Sequence, residues 1–211
     1  MARRGAYAKG VAKREEILES ALEVIAREGY RGASVKELAE AVGLSQAGLL
    51  HYFDSKDELF AAILRKRDEV DARRFGDLDA DPSLDRIREG FVGIVRHNAE
   101  VPGLVQLFSR QAVEAGDPEH PAHAYFVERS AALRATIVAA IERRQEEGGL
   151  TDAVDPETLA RVIQAVADGM QLQWLQDPGV DMAAAVDAVF VLLGVEKQVG
   201  PAGFEPTTST V

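Results

Sequence analysis

The sequence contains no cysteine. That absence excludes a disulfide-stapled scaffold, a thiolate zinc site and a cysteine nucleophile, and it accords with a reducing compartment. Aromatic residues are scarce at 6%, with a single tryptophan, Trp174. Long apolar runs are missing as well. The longest nearly apolar stretch, 182–195, is interrupted by Asp187. A membrane span needs about 20 apolar residues, so this stretch reads as a buried helix. The basic N-terminus has no apolar segment behind it and does not read as a secretory signal. These absences point to a cytoplasmic protein with no membrane partner. No phosphate-binding glycine loop, HExxH pair or nucleophile elbow is present. The numerous carboxylates spread over solvated helix faces. The reading is therefore of a protein that is not an enzyme and needs no cofactor.

What is present is charge of both signs, unevenly placed. The 211 residues carry a net charge of −11. Residues 1–75 hold 14 basic and 13 acidic groups, whereas 76–211 hold 10 and 22. The first 14 residues include Arg3, Arg4, Lys9, Lys13 and Arg14 and no acid. Such asymmetry suggests two jobs, one of them toward a polyanion. Hydrophobic residues make up 46%, enough for a substantial core.

Ala, Leu, Glu, Arg and Gln dominate, and no two-residue alternation is sustained, so the fold class is all-α. We divide the chain into a flexible basic arm (1–14), a three-helix domain with a helix-turn-helix (15–54), a connecting helix (55–75), a larger helical domain (76–197) and a disordered tail (198–211). In the first domain Ile17, Leu18, Ala21, Leu22 and Ile25 form one apolar stripe, ended by Gly29 and Gly32. Ser34 is an N-cap with Glu37 as its capping-box partner. Gly43 marks a bend. Ser45 opens the next helix, to about 53, and Ser55 caps another, with Glu58 at the third helical position. Acidic, helix-breaking residues at 76–82 mark a boundary. Five further helices are expected at about 82–99, 102–115, 121–147, 156–176 and 181–196.

Residues 35–54 have the makings of a helix-turn-helix. Leu38, Val42, Leu44, Leu49 and Tyr52 are apolar or aromatic, Ala39 is small, and Gly43 tolerates the positive φ that a tight turn favours. The second helix of such a unit lies in the major groove with its N-terminal side chains on base edges. Between Ser45 and Phe53 there is no arginine or lysine. Base reading therefore falls to Gln46, which can bond bidentately to adenine, and Ala47, which can pack on a thymine methyl. Gly48 would let the backbone approach closely. His51 and Tyr52 are candidates for phosphate contacts, although the Tyr52 ring also suits the small core. Ser34 offers a hydroxyl at a helix N-terminus for capping, for a phosphate or for both. Lys36 and Lys56 would flank the recognition helix on the backbone phosphates. The basic arm would reach an adjacent minor groove or remain free.

The stretch 34–59, SVKELAEAVGLSQAGLLHYFDSKDEL, resembles the DNA-binding domain of the TetR family of bacterial transcriptional regulators. Its most specific part is Tyr-Phe-x-Ser-Lys-x-x-Leu, here Tyr52 to Leu59. The resemblance covers about 13–65. It strengthens the assignment of Lys56 and Lys36, and it implies that the rest of the chain is a helical ligand-sensing and dimerising domain. One departure is Leu50, where many members carry a tyrosine that touches a phosphate. That contact passes to His51 or Tyr52, or is lost.

The C-terminal helices fit this expectation. Residues 181–196 are apolar on nearly every face, and such a helix must be covered on both sides. We expect a homodimer in which this helix and its predecessor meet their copies, with Ala160, Ala167, Ala185, Ala188, Val189 and Leu192 at the interface. A ligand pocket is expected among the middle helices, lined by Phe91, Val95, Asn98, Leu104, Phe108, Gln111, Tyr125, Arg129, Met170 and Trp174. Apolar stripes that end in an amide suit a small amphipathic effector. His120 and His123 stand near acids, but we read them as solvated and expect no metal site. The combined reading is a ligand-responsive, sequence-specific regulator that binds double-stranded DNA at a near-palindromic operator. A repressor released by its effector is favoured. The alternative is a DNA-independent interaction protein that keeps the fold.

Overall fold

The computed structural model describes residues 2–76 and 83–195, with side chains from residue 8 onward. The expected tail and most of the expected boundary at 76–82 lie outside the described residues. The helices are α1 (Ala2–Gly32), α2 (Val35–Ala41), α3 (Gln46–Leu50), α4 (Lys56–Phe75), α5 (Leu84–Glu100), α6 (Pro102–Glu114), α7 (His123–Glu146), α8 (Pro156–Gln176) and α9 (Met182–Leu192). Among the described residues there is no strand.

Serine caps set the register of the N-terminal domain. The Ser34 hydroxyl accepts from the Glu37 amide, and the Glu37 carboxylate accepts from the Ser34 amide at 2.8 Å. This reciprocal pair satisfies two amides that the first helical turn cannot. It also holds the Glu37 carboxyl below its usual range, chiefly through the bonds from Ser34. Ser45 and Ser55 accept from the amides of Gly48 and Glu58. The Glu58 side chain does not complete a box at Ser55. It pairs with Arg14 of α1 at 2.9 Å instead. Between α2 and α3 the chain turns at Gly43, whose φ is 67°. A side chain there would be strained, and glycine is not.

Two expected boundaries differ. The segment expected as a flexible arm belongs to α1, which begins at Ala2. Ala, Arg and Lys favour helix strongly enough to carry it through Gly5 and Gly10. The recognition helix stops at Leu50 rather than near Phe53. His51 caps it, and the following turn drives Phe53 into the core, where it is 3% exposed.

Two hydrophobic clusters organise the chain. The first joins α1–α4 to α6 and α7, through Ile17, Leu49, Phe60, Leu107, Phe108 and Tyr125. The second lies among α5, α6, α7, α8 and α9 and includes Ile87, Val105, Ile137, Ile163, Trp174 and Phe190. Helices α1–α4 thus share their core with α6 and α7. The lock between α1 and α4 is reinforced by Lys66, which is buried and ion-paired to Glu15 and Glu19 of α1. Gly103, near the start of α6, rests against the backbone of α1 where Gly29 bends it.

Candidate nucleic-acid interface and ligand cavity

The short helix α3 leaves its N-terminal side chains in solvent. Ser45, Gln46 and Ala47 are exposed and Gly48 is half-buried. Leu49, one residue on, is fully buried and anchors the helix to the first cluster. Gln46 and Ala47 thus face solvent, while Leu49 fixes their position. His51 is exposed. The half-buried Tyr52 packs on the core with its ring 5.9 Å from the His51 ring. Leu50 is 36% exposed and offers no hydrogen bond.

The flanking cations are available. Lys36 is exposed and only 3.9 Å from Glu40, a weak surface pair. Lys56, in the first turn of α4, is exposed with its ammonium 5.3 Å above the Phe60 ring. Ser34 is exposed although its hydroxyl is engaged in the cap. Lys13 is committed elsewhere, to Glu16 and to the Val42 carbonyl at 3.1 Å, so it braces the turn after α2.

A cavity of about 380 Å³ lies among α4, α5, α6, α7 and α8. Phe91, Val95 and Asn98 of α5, Phe108 of α6 and Arg129 of α7 line it, as the sequence suggests. The other expected residues do not. Leu104 and Tyr125 belong to the first cluster, and Gln111 is buried beside Glu114, outside the cavity wall. Trp174 lies inside the second cluster, with the half-buried Met170 packed against it. Helical spacing identifies an apolar face but not which neighbour covers it, and these five side chains face core.

Residues missed by the sequence reading supply most of the cavity's polarity. They are Arg67 of α4, Ser109 of α6, Ser130 of α7, and Gln164, Asp168 and Gln171 of α8. Their signals were present. Arg67 falls on the stripe Phe60, Ile63, Leu64, one turn on. Gln164, Asp168 and Gln171 make a polar stripe at i, i+4, i+7 on an otherwise apolar helix. Arg67 and Arg129 both stack on Phe108, with guanidinium carbons 5.3 and 5.1 Å from the ring centre. Each has a carboxylate partner. Arg67 Nε donates to Asp71 at 3.4 Å, and Arg129 Nε donates to Asp68 at 2.9 Å. The Tyr125 hydroxyl also donates to Asp68, at 2.6 Å, and burial together with that negative charge pushes its pKa up. Loss of water raises the pKa of Asp168, and the charges of Arg129 and Arg67 oppose that rise. Asn98 Nδ2 donates to Gln171 Oε1 at 3.3 Å.

The expected interface residues divide. Ala160 and Ala167 are turned into the chain's own core, at 0% and 7% exposed. This corrects the face assigned to α8. Val162 of α8 is 47% exposed instead, and Leu172, 48% exposed, lies at the cavity wall. On α9, Leu192 is 85% exposed and Ala188 is exposed, while Ala185 and Val189 are half-buried. The Trp174 ring is neither on the cavity wall nor among these exposed residues. His120 accepts from the Ala122 amide, and His123 Nδ1 is 2.8 Å from the Ala115 carbonyl oxygen. These bonds hold His120 in the turn before α7 and His123 at its first residue, both half-buried rather than solvated.

A family profile for bacterial regulatory proteins of the tetR family matches residues 17–63, and a profile for the C-terminal region of BetI-type transcriptional repressors matches 118–193. The chain is 30% identical to the HTH-type transcriptional repressor AcnR of Corynebacterium efficiens, over 76% of this chain and 81% of that one. It is 29% identical to the HTH-type transcriptional repressor Rv1474c of Mycobacterium tuberculosis, over 84% and 91%. Among solved structures, a TetR transcription regulator from Haloarcula marismortui superposes with a TM-score of 0.71 at 22% identity, covering 87% of this chain and 97% of that one. FadR of Thermus thermophilus, a repressor solved with lauroyl-CoA, gives a TM-score of 0.61 at 21% identity, covering 90% and 98%.

Proposed function

The chain belongs to the TetR family of bacterial transcriptional regulators, and from that premise we propose that it is a dimeric repressor whose operator affinity is lowered by a small amphipathic effector. The observation that carries this reading is the span of α4. One uninterrupted helix runs from the exposed Lys56 beside the recognition helix to the buried Arg67 on the cavity wall. A ligand that moves Arg67 therefore moves the recognition helix with it. The helix α6 gives a second link, since it lines the cavity with Phe108 and touches α1 with Gly103. The effector must bind the free and operator-bound conformations differently, or it shifts nothing.

In this reading Gln46 and Ala47 read bases, and Ser45 and Gly48 hold the helix start close to the groove floor. Ser34, Lys36, His51, Tyr52 and Lys56 meet phosphates. With few cations at the interface, one headpiece binds weakly, and two are needed for a specific complex. The exposed apolar residues of α8 and α9, Val162, Val191 and Leu192, suit the second copy.

The test is capture of sheared genomic DNA from the source organism by the purified protein at low salt, followed by sequencing. The expected result is a few enriched fragments that share an inverted repeat. Retention of DNA without any shared repeat, from folded protein, would sink the operator-reading claim.

A further inference from the structure

Two residues of the cavity wall each carry a buried polar atom without a partner, one a donor and one an acceptor. Arg67 is 5% exposed and its Nη1 has no hydrogen-bond partner. Asn98 is 2% exposed, and its Oδ1 likewise has none, although its amide nitrogen is bonded to Gln171. Both residues line the cavity. Unpartnered buried atoms of this kind cost stability, and a bound group that satisfies them recovers it. A guanidinium edge is best matched by a carboxylate, and an amide oxygen requires a hydroxyl or an N–H. The remaining wall is largely apolar, with Phe91, Ile94, Val95 and Leu133 among its members.

Charge limits the choice further. Arg67 is paired with Asp71 and Arg129 with Asp68, and Asp168 adds a third carboxyl at the wall. Two guanidiniums among three carboxyls sum to −1 with Asp168 ionised and to zero with it neutral, so one added carboxylate fits beside a neutral Asp168 and several are opposed. The environment already disfavours the charge on Asp168, so that group yields most readily to a bound acid.

We propose that the effector is a monocarboxylic acid on an apolar body that also carries a hydroxyl or N–H donor, its carboxylate on Arg67 and its donor on Asn98. This inference rests on the regulator reading for its biological role and on the cavity alone for its chemistry. Thermal unfolding of the full chain, free of DNA, tests it. The probes are para-hydroxyphenylacetate and omega-hydroxydecanoate, the methyl ester of each, and propane-1,2,3-tricarboxylate.

At millimolar concentration at least one hydroxy acid is expected to raise Tm by about 2–4 °C. The esters and the tricarboxylate are expected to leave it unchanged, and the rise is expected to vanish in Asn98→Leu. Esters that match their acids would show that the cavity reads apolar bulk and would overturn the proposal. A larger shift from the tricarboxylate, or no shift from any probe, would also overturn it. Because no DNA is present, such failure leaves the operator capture standing. Acid binding without any captured operator would instead sink the regulator reading and leave the site.

Discussion

Replacing Gly103 with alanine is expected to destabilise the chain by about 2–3 kcal/mol, as overpacking against unyielding atoms does. A Cβ at this position would lie 2.3 Å from the Ile25 carbonyl oxygen, 2.7 Å from the Gly29 Cα and 3.0 Å from the Tyr30 amide nitrogen. All three are backbone atoms, so no side chain can swing aside. Either α6 moves away from α1 or the bend at Gly29 opens. Leu104 and Leu107, which follow on α6, are packed in the core that the two helices share, and both outcomes disturb it. Urea unfolding followed by circular dichroism measures the effect. The midpoint should fall with little change in slope. An unchanged midpoint would mean that the contact between α1 and α6 is slack. The link from cavity to DNA-binding unit would then rest on α4 alone.

Leu49→Ala is expected to remove about 3 kcal/mol from the N-terminal domain, within the range for truncating a buried leucine. Leu49 has no exposed surface, and it is the buried residue of a five-residue helix. A helix this short has no independent stability and holds its shape through packing. Without the leucine, Gln46 and Ala47 lose their fixed position. The helical signal of the whole chain, dominated by the long helices, should change little, whereas affinity for a captured operator fragment should fall at least tenfold. Gel shift of the variant against the parent protein measures this. Equal affinities would show that α3 is held by something other than its leucine.

How far the sequence discloses these features depends on where the signal lies. The capping serines at 34, 45 and 55 announce helix starts because the cap is a local interaction, and each hydroxyl accepts from the amide three residues on. Gly43 announces the turn because only glycine takes its φ without strain. The cavity is harder to read, since periodicity shows a helix's apolar face but not its neighbour. Asn98 and Phe108 line the cavity, whereas Leu104 and Tyr125 lie in a core shared by both parts of the chain. Arg67 escaped because a charged residue on a connecting helix ordinarily faces water. Its burial follows from a tertiary arrangement in which α4 passes beneath the cavity. The inward turn of Ala160 and Ala167 has a similar origin. Small residues suit a helix crossing within the chain as well as one between copies, and composition cannot separate the two.

In the proposed complex, two copies of this chain read two half-sites of one operator. The most direct measurement is the stoichiometry of the protein on a captured inverted-repeat duplex, by sedimentation velocity, beside its affinity for a duplex holding a single half-site. Two chains per full site and far weaker binding to the half-site are expected. One chain per duplex, with the half-site bound as tightly as the full repeat, would contradict that arrangement.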